Sequence, residues 1–162
     1  MIETKEERIQ RWMNEYGASL LKVCVLYLSD YALAEDAVQE TFFGAWRAMD
    51  RFEGRNGCSE KTWLTRIAVN VCGTYRRTKW FRHVDTSQPL NECSLIARGV
   101  PEEAGEVLMS VARLPEKYRM VIILYYYHGM NQREIAEALG VRRSMVSYRL
   151  RRGLKLLKIE LE

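Results

Sequence analysis

Between Asn131 and Lys158 the chain has few ways to fold. Ile135, Ala136 and Leu139 make a short apolar stripe, Gly140 interrupts it, and Val141, Val146, Leu150, Leu154 and Leu157 resume it. Steps of three and four residues gather side chains on one face of a helix, whereas a strand would scatter them over both faces. Asn131 stands where its side chain can cap the first helix, and Glu134 completes a capping-box pair. Gly140 can turn the chain through positive φ. Ala136 is small where two backbones must cross closely. The stretch is expected to be two helices around a tight turn, a helix-turn-helix, with Leu150, Leu154 and Leu157 in its core.

The second helix carries Arg142, Arg143, Arg149, Arg151, Arg152, Lys155 and Lys158, with no acid before Glu160. Ordinary solvated helices mix signs. A one-signed helix behind a glycine turn suits phosphates and base edges, so it is expected to enter the DNA major groove. The net charge of +4 is uneven: residues 1–80 are nearly balanced, 81–110 lean acidic, and 111–162 hold most of the excess.

Helical periodicity also dominates the rest of the chain. A first helix is expected from about Thr4 to Leu28, with Ile9, Met13, Tyr16, Leu20, Val23 and Tyr27 on one face. After a turn at Ser29–Tyr31, a second runs from about Ala32 to Phe52 on Val38, Phe42, Ala45, Met49 and Phe52. The polar, glycine-containing stretch 53–57 reads as a loop. Ser59 caps a third helix to about Lys79, with Trp63, Ile67, Val71 and Tyr75 inward and Arg76, Arg77 and Lys79 at a basic end. Between Trp80 and Val100 the periodicity fades around Pro89, Asn91, Ser94 and Gly99, which predicts a flexible linker. Pro101 can start a further helix carrying Val107, Leu108, Val111 and Leu114, and Leu114–Pro115 breaks it. Glu116–Tyr127 forms another helix, with the Tyr125–Tyr127 run expected in core and interdomain packing. The fold class is all-α: a domain over 1–80, a linker over 81–100, and a helix-turn-helix domain over 101–162.

A content of 48% hydrophobic and 28% charged residues over 162 allows a buried core and excludes a disordered chain. Cys24, Cys58, Cys72 and Cys93 stand far apart with no CxxC pair, so neither a zinc site nor a disulfide framework is expected. Cys24 and Cys72 read as small core residues. The amino-terminal residues lack the apolar run of a signal peptide, and no stretch is long enough to span a bilayer, so a cytoplasmic protein is expected.

Four stretches, AEDAVQETFFGAWR (34–47), TWLTRIAVN (62–70), LPEKYRMVIILYYYHGMNQREIAEALGV (114–141) and SMVSYRLRRGLKLL (144–157), resemble a bacterial RNA polymerase sigma factor. The resemblance is to the small, two-domain extracytoplasmic-function (ECF) group of the sigma-70 superfamily, and it covers both domains in the family's order. It implies that Asp36, Gln39, Glu40 and Phe43 dock on core RNA polymerase. It implies that Asn70, with Arg55, Asn56, Arg76, Arg77 and Lys79 around it, engages the opened −10 element, where an amide can both donate to and accept from a base edge. Trp63 and Tyr75 would be core, with Trp80 or Phe81 the candidates for stacking.

In the carboxyl-terminal domain the resemblance implies that Ser147, Tyr148, Arg151 and Arg152 face −35 base edges. Arg142, Arg143 and Arg149 would meet phosphates, with Ser144 and Lys155 on the same DNA-binding helix. The implied partners are core RNA polymerase, promoter DNA and an anti-sigma factor, with no cofactor, metal or catalytic role. Where relatives often carry Ser or Thr and then Gly-Thr, this chain has Arg142, Arg143, Ser144 and Met145. Thr74 stands in place of a common aspartate. The first departure bears on the helix cap and on promoter preference, and the second leaves the basic end of the third helix less compensated.

Rival classes fit less well. A response-regulator output protein would bring strand alternation and a phosphorylatable aspartate, and residues 1–100 show no such alternation. A recombinase would need clustered nucleophiles or carboxylates, and His83, His128 and the cysteines are scattered. A protein-only adaptor would have no use for the basic helix.

Overall fold

A computed structural model describes residues 2–52, 58–78 and 102–161. Seven α-helices make up these segments: α1 Lys5–Leu28, α2 Tyr31–Ala48, α3 Glu60–Arg77, α4 Glu102–Arg113, α5 Glu116–Ile122, α6 Gln132–Leu139 and α7 Arg143–Leu161. Among the described residues there is no strand. The loop expected at 53–57 and the linker expected at 81–100 lie outside the described residues.

Local chemistry sets the helix ends. Thr4 accepts from the Glu7 amide at 3.1 Å while Glu7 accepts from the Thr4 amide at 3.0 Å, a closed capping box at the start of α1. Ser29 ends α1 in the left-handed region at φ 57°, and Asp30 at once caps α2 by accepting from Leu33 N. That economy turns the chain between two antiparallel helices in two residues. Ser59 caps α3 as expected.

Helices α1, α2 and α3 pack on one another around Trp12, Leu20, Phe42, Ala45, Leu64 and Ala68. Trp12, Phe52 and Trp63 form an aromatic cluster with centroids 5.2–5.9 Å apart. Arg11 links the ends of this unit, reaching Glu3 and Glu60 at 2.7 Å each. Met13, expected inward, is 47% exposed.

In the carboxyl-terminal half α5 and α7 pack against each other, with α6 against α7 and α4 completing the group. Gly153 makes the tight crossing possible: a Cβ there would meet Ile122 Cγ1 at 3.0 Å and Ile122 Cδ1 at 3.2 Å. Leu154, expected in the core, is instead 43% exposed, because the close approach of Gly153 rotates its neighbour outward. Val107 is also exposed, whereas Leu108, Val111 and Leu114 are buried.

α5 does not run as one α-helix to Tyr127. Ile123–Tyr127 widens into a π turn, with the His128 amide donating to Ile123 O at 3.0 Å. The widened turn leaves Tyr125 and Tyr126 exposed, edge to face at 4.9 Å, and only Tyr127 half-buried.

The two halves touch through α3 and α6, and through α1 and the π turn. Tyr27 donates to Glu116, whose other carboxylate oxygen lies 3.4 Å from Arg76 Nε. Lys61 Nζ donates to His128 O at 2.5 Å, and Thr65 Oγ1 lies 2.8 Å from His128 Nε2. Lys22 sits over the Tyr127 ring at 5.4 Å.

Candidate nucleic-acid and polymerase interfaces

α7 owes its position to α6 and the turn between them. Asn131 Oδ1 accepts from the Glu134 amide at 2.8 Å and Glu134 Oε1 accepts from the Asn131 amide at 2.9 Å, closing a capping box on α6. Gly140 ends α6 at φ 68°, where a side chain would be strained. α7 then buries Val146, Leu150, Gly153 and Leu157.

Opposite that stripe, Arg142, Arg143, Ser144, Tyr148, Arg151, Arg152, Lys155 and Lys158 are exposed. Ser147 is half-buried and accepts from Arg151 Nη1 at 3.1 Å, which orients the guanidinium along the helix. Arg149 departs from this set. It is half-buried and turned into a cleft of about 520 Å³ between the domains, beside Val69, Lys117, Met120 and Leu139. Its buried Nε has no partner among the described residues.

On the amino-terminal domain, α2 buries Leu33, Ala34, Ala37, Phe42 and Ala45. This leaves Asp36, Gln39, Glu40 and Phe43 together on the exposed face. All four line one hollow of about 640 Å³ with Tyr75 of α3. Phe43 is 56% exposed, with the Arg47 guanidinium 4.5 Å from its ring centroid. Burial pushes the Tyr75 hydroxyl up to about 12, and the carboxylates of Glu40 and Asp36 add to the rise. Tyr75, expected as core, is therefore half-buried in the wall of the same hollow. Its inward helical phase concealed that its ring edge reaches the surface.

α3 presents Asn70 and Arg77 to solvent. Arg76 is half-buried toward Glu116. Arg55, Asn56, Lys79, Trp80 and Phe81 lie outside the described residues. The sequence reading also missed Glu116 and Arg119. Arg119 is only 6% exposed, donates to Ala112 O and Leu114 O at 2.9 and 3.2 Å, and stands 5.4 Å from the Tyr27 ring. A basic residue one helical turn after a Leu-Pro break was the available signal, since such a side chain can reach back to the preceding carbonyls. No group of three or more His, Cys, Asp or Glu residues among those described could hold a metal ion.

A helical unit with an acidic hollow, joined to a helix-turn-helix with a cationic outer face, defines a DNA-binding protein that also docks on protein. Sigma-70 region 2 matches residues 12–82, and Sigma-70, region 4 matches residues 104–157. The chain belongs to the sigma-70 family of RNA polymerase sigma factors, in its ECF group.

It is 29% identical over 155 residues to the ECF RNA polymerase sigma factor SigL of Mycobacterium tuberculosis, covering 92% of this chain and 86% of SigL. It is 31% identical over 160 residues to SigW of Bacillus subtilis, covering 90% and 84%. Among solved structures it resembles CnrH in complex with the cytosolic domain of CnrY, at TM-score 0.72 and 25% identity, covering 96% and 88%. In fold it also resembles the sigma factor RpoE in complex with the anti-sigma factor NepR from Bartonella quintana, at TM-score 0.78 and 22% identity, covering 98% of each chain.

Members of this family are non-catalytic: they bind core RNA polymerase and promoter DNA and direct promoter-specific initiation. No described helix is long and apolar enough to cross a membrane.

Proposed function

We propose that α7 reads the −35 element, that α3 with the loop before it engages the opened −10 element, and that the α2 hollow docks on core RNA polymerase. The observation that carries this reading is the separation of charge by domain. Acids and an exposed Phe43 gather on α2, while the outer face of α7 carries cations with no acid before Glu160. Arg151 and Arg152 suit bidentate contacts to guanine, and Arg142 and Arg143, at the start of α7, suit phosphates. Asn70 is open to solvent and can use both its donor and its acceptor on an unstacked base.

The domains are 1–80 and 101–162, joined by 81–100, a division supported by family matches over 12–82 and 104–157. An anti-sigma factor is the expected protein regulator, by analogy with the RpoE–NepR complex. The site of action is the cytoplasm, with the polymerase. Run-off transcription with core polymerase over a randomised promoter library tests the whole reading. Selection of one paired −35 and −10 motif, dependent on this chain, is the expected result. Unselective transcription would overturn it.

A further inference from the structure

Cys24 and Cys72 lie 48 residues apart in sequence, one on α1 and one on α3, yet their sulfurs are 3.5 Å apart. They are 0% and 1% exposed, inside the core of the amino-terminal domain. A disulfide bond is about 2.05 Å long, so the sulfurs need close only about 1.5 Å, a movement that two side-chain rotations can share. We propose that Cys24 and Cys72 form a reversible dithiol–disulfide pair that ties α1 to α3 under oxidation by a hydroperoxide.

The chemistry balances with that oxidant. One sulfur, as thiolate, attacks the peroxide oxygen and breaks the O–O bond, giving a sulfenic acid and an alcohol, or water when the oxidant is hydrogen peroxide. The second sulfur displaces hydroxide from the sulfenic sulfur, forming the S–S bond, and the hydroxide leaves as water with the second thiol's proton. Two thiols lose two electrons and the hydroperoxide gains them. A small dithiol reverses the bond by exchange.

Position sets both the rate and the consequence. The hydrogen bond to Cys24 and then burial push the Cys72 thiol up, so thiolate is scarce at neutral pH. Reaction waits on local opening of the α1–α3 seam, which makes the pair responsive to sustained rather than momentary oxidation. Cys24 stands one helical turn before Tyr27, and Cys72 one turn before Arg76. Those two side chains hold Glu116 of the carboxyl-terminal domain.

A bond between the cysteines fixes the spacing of the two helices on which that domain sits, and so favours the closed arrangement. The functional consequence rests on the sigma-factor reading. Elements named −35 and −10 are separated by roughly 85 Å of duplex at about 3.4 Å per base pair, more than two touching domains can span. Oxidation therefore lowers promoter-specific transcription.

The test treats the full chain with hydrogen peroxide, alkylates remaining thiols, and maps peptides by mass spectrometry beside thermal melting and run-off transcription. A Cys24–Cys72 linked peptide is expected, reversed by dithiothreitol, with a raised melting midpoint and a several-fold, reversible loss of transcription. Cys24→Ala and Cys72→Ala should abolish all three effects, and Cys58→Ala none. If either core variant fails to fold, the oxidised and reduced wild-type chains supply the same comparison. The proposal is overturned if peroxide consumes Cys58 fully while Cys24 and Cys72 stay reduced until the chain unfolds. It is equally overturned if the linked peptide forms with neither the midpoint nor transcription moved. Absence of transcription in both redox states would instead count against the sigma-factor reading, and the peptide and melting data would still decide the pair.

Discussion

α2 and α7 are built alike and face the solvent differently. Each buries a stripe at steps of three and four residues, Ala34, Ala37, Thr41 and Ala45 in one and Val146, Leu150, Gly153 and Leu157 in the other. The outer face of α2 carries Asp36, Gln39, Glu40 and an exposed Phe43 around a hollow. The outer face of α7 carries a row of cations, with Met145 and Tyr148 exposed among them. An aromatic among polar groups in a concavity can anchor a protein interface, where affinity concentrates in a few desolvated contacts. A row of cations suits a polyanion, where affinity spreads over many phosphates and falls steeply with salt. Buried stripes say how each helix is seated; the sign and apolar content of the outer face say what it meets.

Reversing the charge of the α2 face should have the largest effect. Asp36→Arg with Glu40→Arg alters exposed side chains, so helicity and melting should stay close to wild type. Like-charge contacts at an interface cost several kcal/mol, so the double variant should no longer co-purify with core polymerase. A folded double variant that still supports promoter-specific transcription would remove docking from α2.

On α7, single substitutions should separate base readout from phosphate anchoring. Arg152→Ala should weaken promoter binding by about 1–3 kcal/mol and relax preference at one −35 position. Arg143→Ala should weaken all sequences alike and flatten the salt dependence of binding. Arg149→Ala should leave specificity unchanged, since its side chain turns into the interdomain cleft. Equal, sequence-independent losses at Arg143 and Arg152 would show that the reading face is misassigned.

Helix identities, caps and the contrasting outer faces of α2 and α7 were legible in the sequence because each depends on neighbours three or four residues away. Asn131, Glu134, Gly140, Ser59 and the Asp36–Phe43 face all belong to that kind. What escaped depends on partners far along the chain. Leu154 has the right period for the core, but Gly153 beside it admits Ile122 so closely that the helix rolls Leu154 outward. The π turn at Ile123–Tyr127 shifts the phase of three tyrosines, and no local signal announces it. The Tyr27–Glu116 and Thr65–His128 contacts join residues 89 and 63 apart, and their polar chemistry gives periodicity nothing to register. Cys24 and Cys72 were recognisable as core residues, but not as neighbours.

The seam between the two regions offers a pH test. His128 is 3% exposed, and burial, with Lys61 nearby, lowers its pKa from 6.5 to about 4. Above pH 6.5 the ring is neutral in folded and unfolded chains and costs nothing. As pH falls from there toward 4 the unfolded chain takes up a proton that the folded chain refuses, so stability drops. Between pH 7.5 and 5 the loss from this residue should be about 2 kcal/mol by urea unfolding, and His128→Gln should flatten the slope in that window. An unchanged slope in His128→Gln would show that the imidazole is not held neutral at the seam.

The smallest effect compares the two capping boxes. Thr4 with Glu7 opens α1, and Asn131 with Glu134 opens α6, in the same reciprocal geometry. Losing an N-cap side chain to alanine costs about 1 kcal/mol, so Thr4→Ala and Asn131→Ala should lower stability by similar amounts in urea unfolding. Their effects on DNA should differ. α1 is 24 residues long and its other end sits in the core, so fraying of its first turn leaves α7 untouched. α6 has only eight residues and holds α7 through the Gly140 turn. Fraying there loosens the seat of α7. Asn131→Ala should therefore weaken −35 duplex binding by up to about 1 kcal/mol, while Thr4→Ala leaves it unchanged. Equal binding by the two variants at equal destabilisation would show that α7 is seated by α5 through Gly153 and Ile122, and that the helix-turn-helix cap contributes to folding alone.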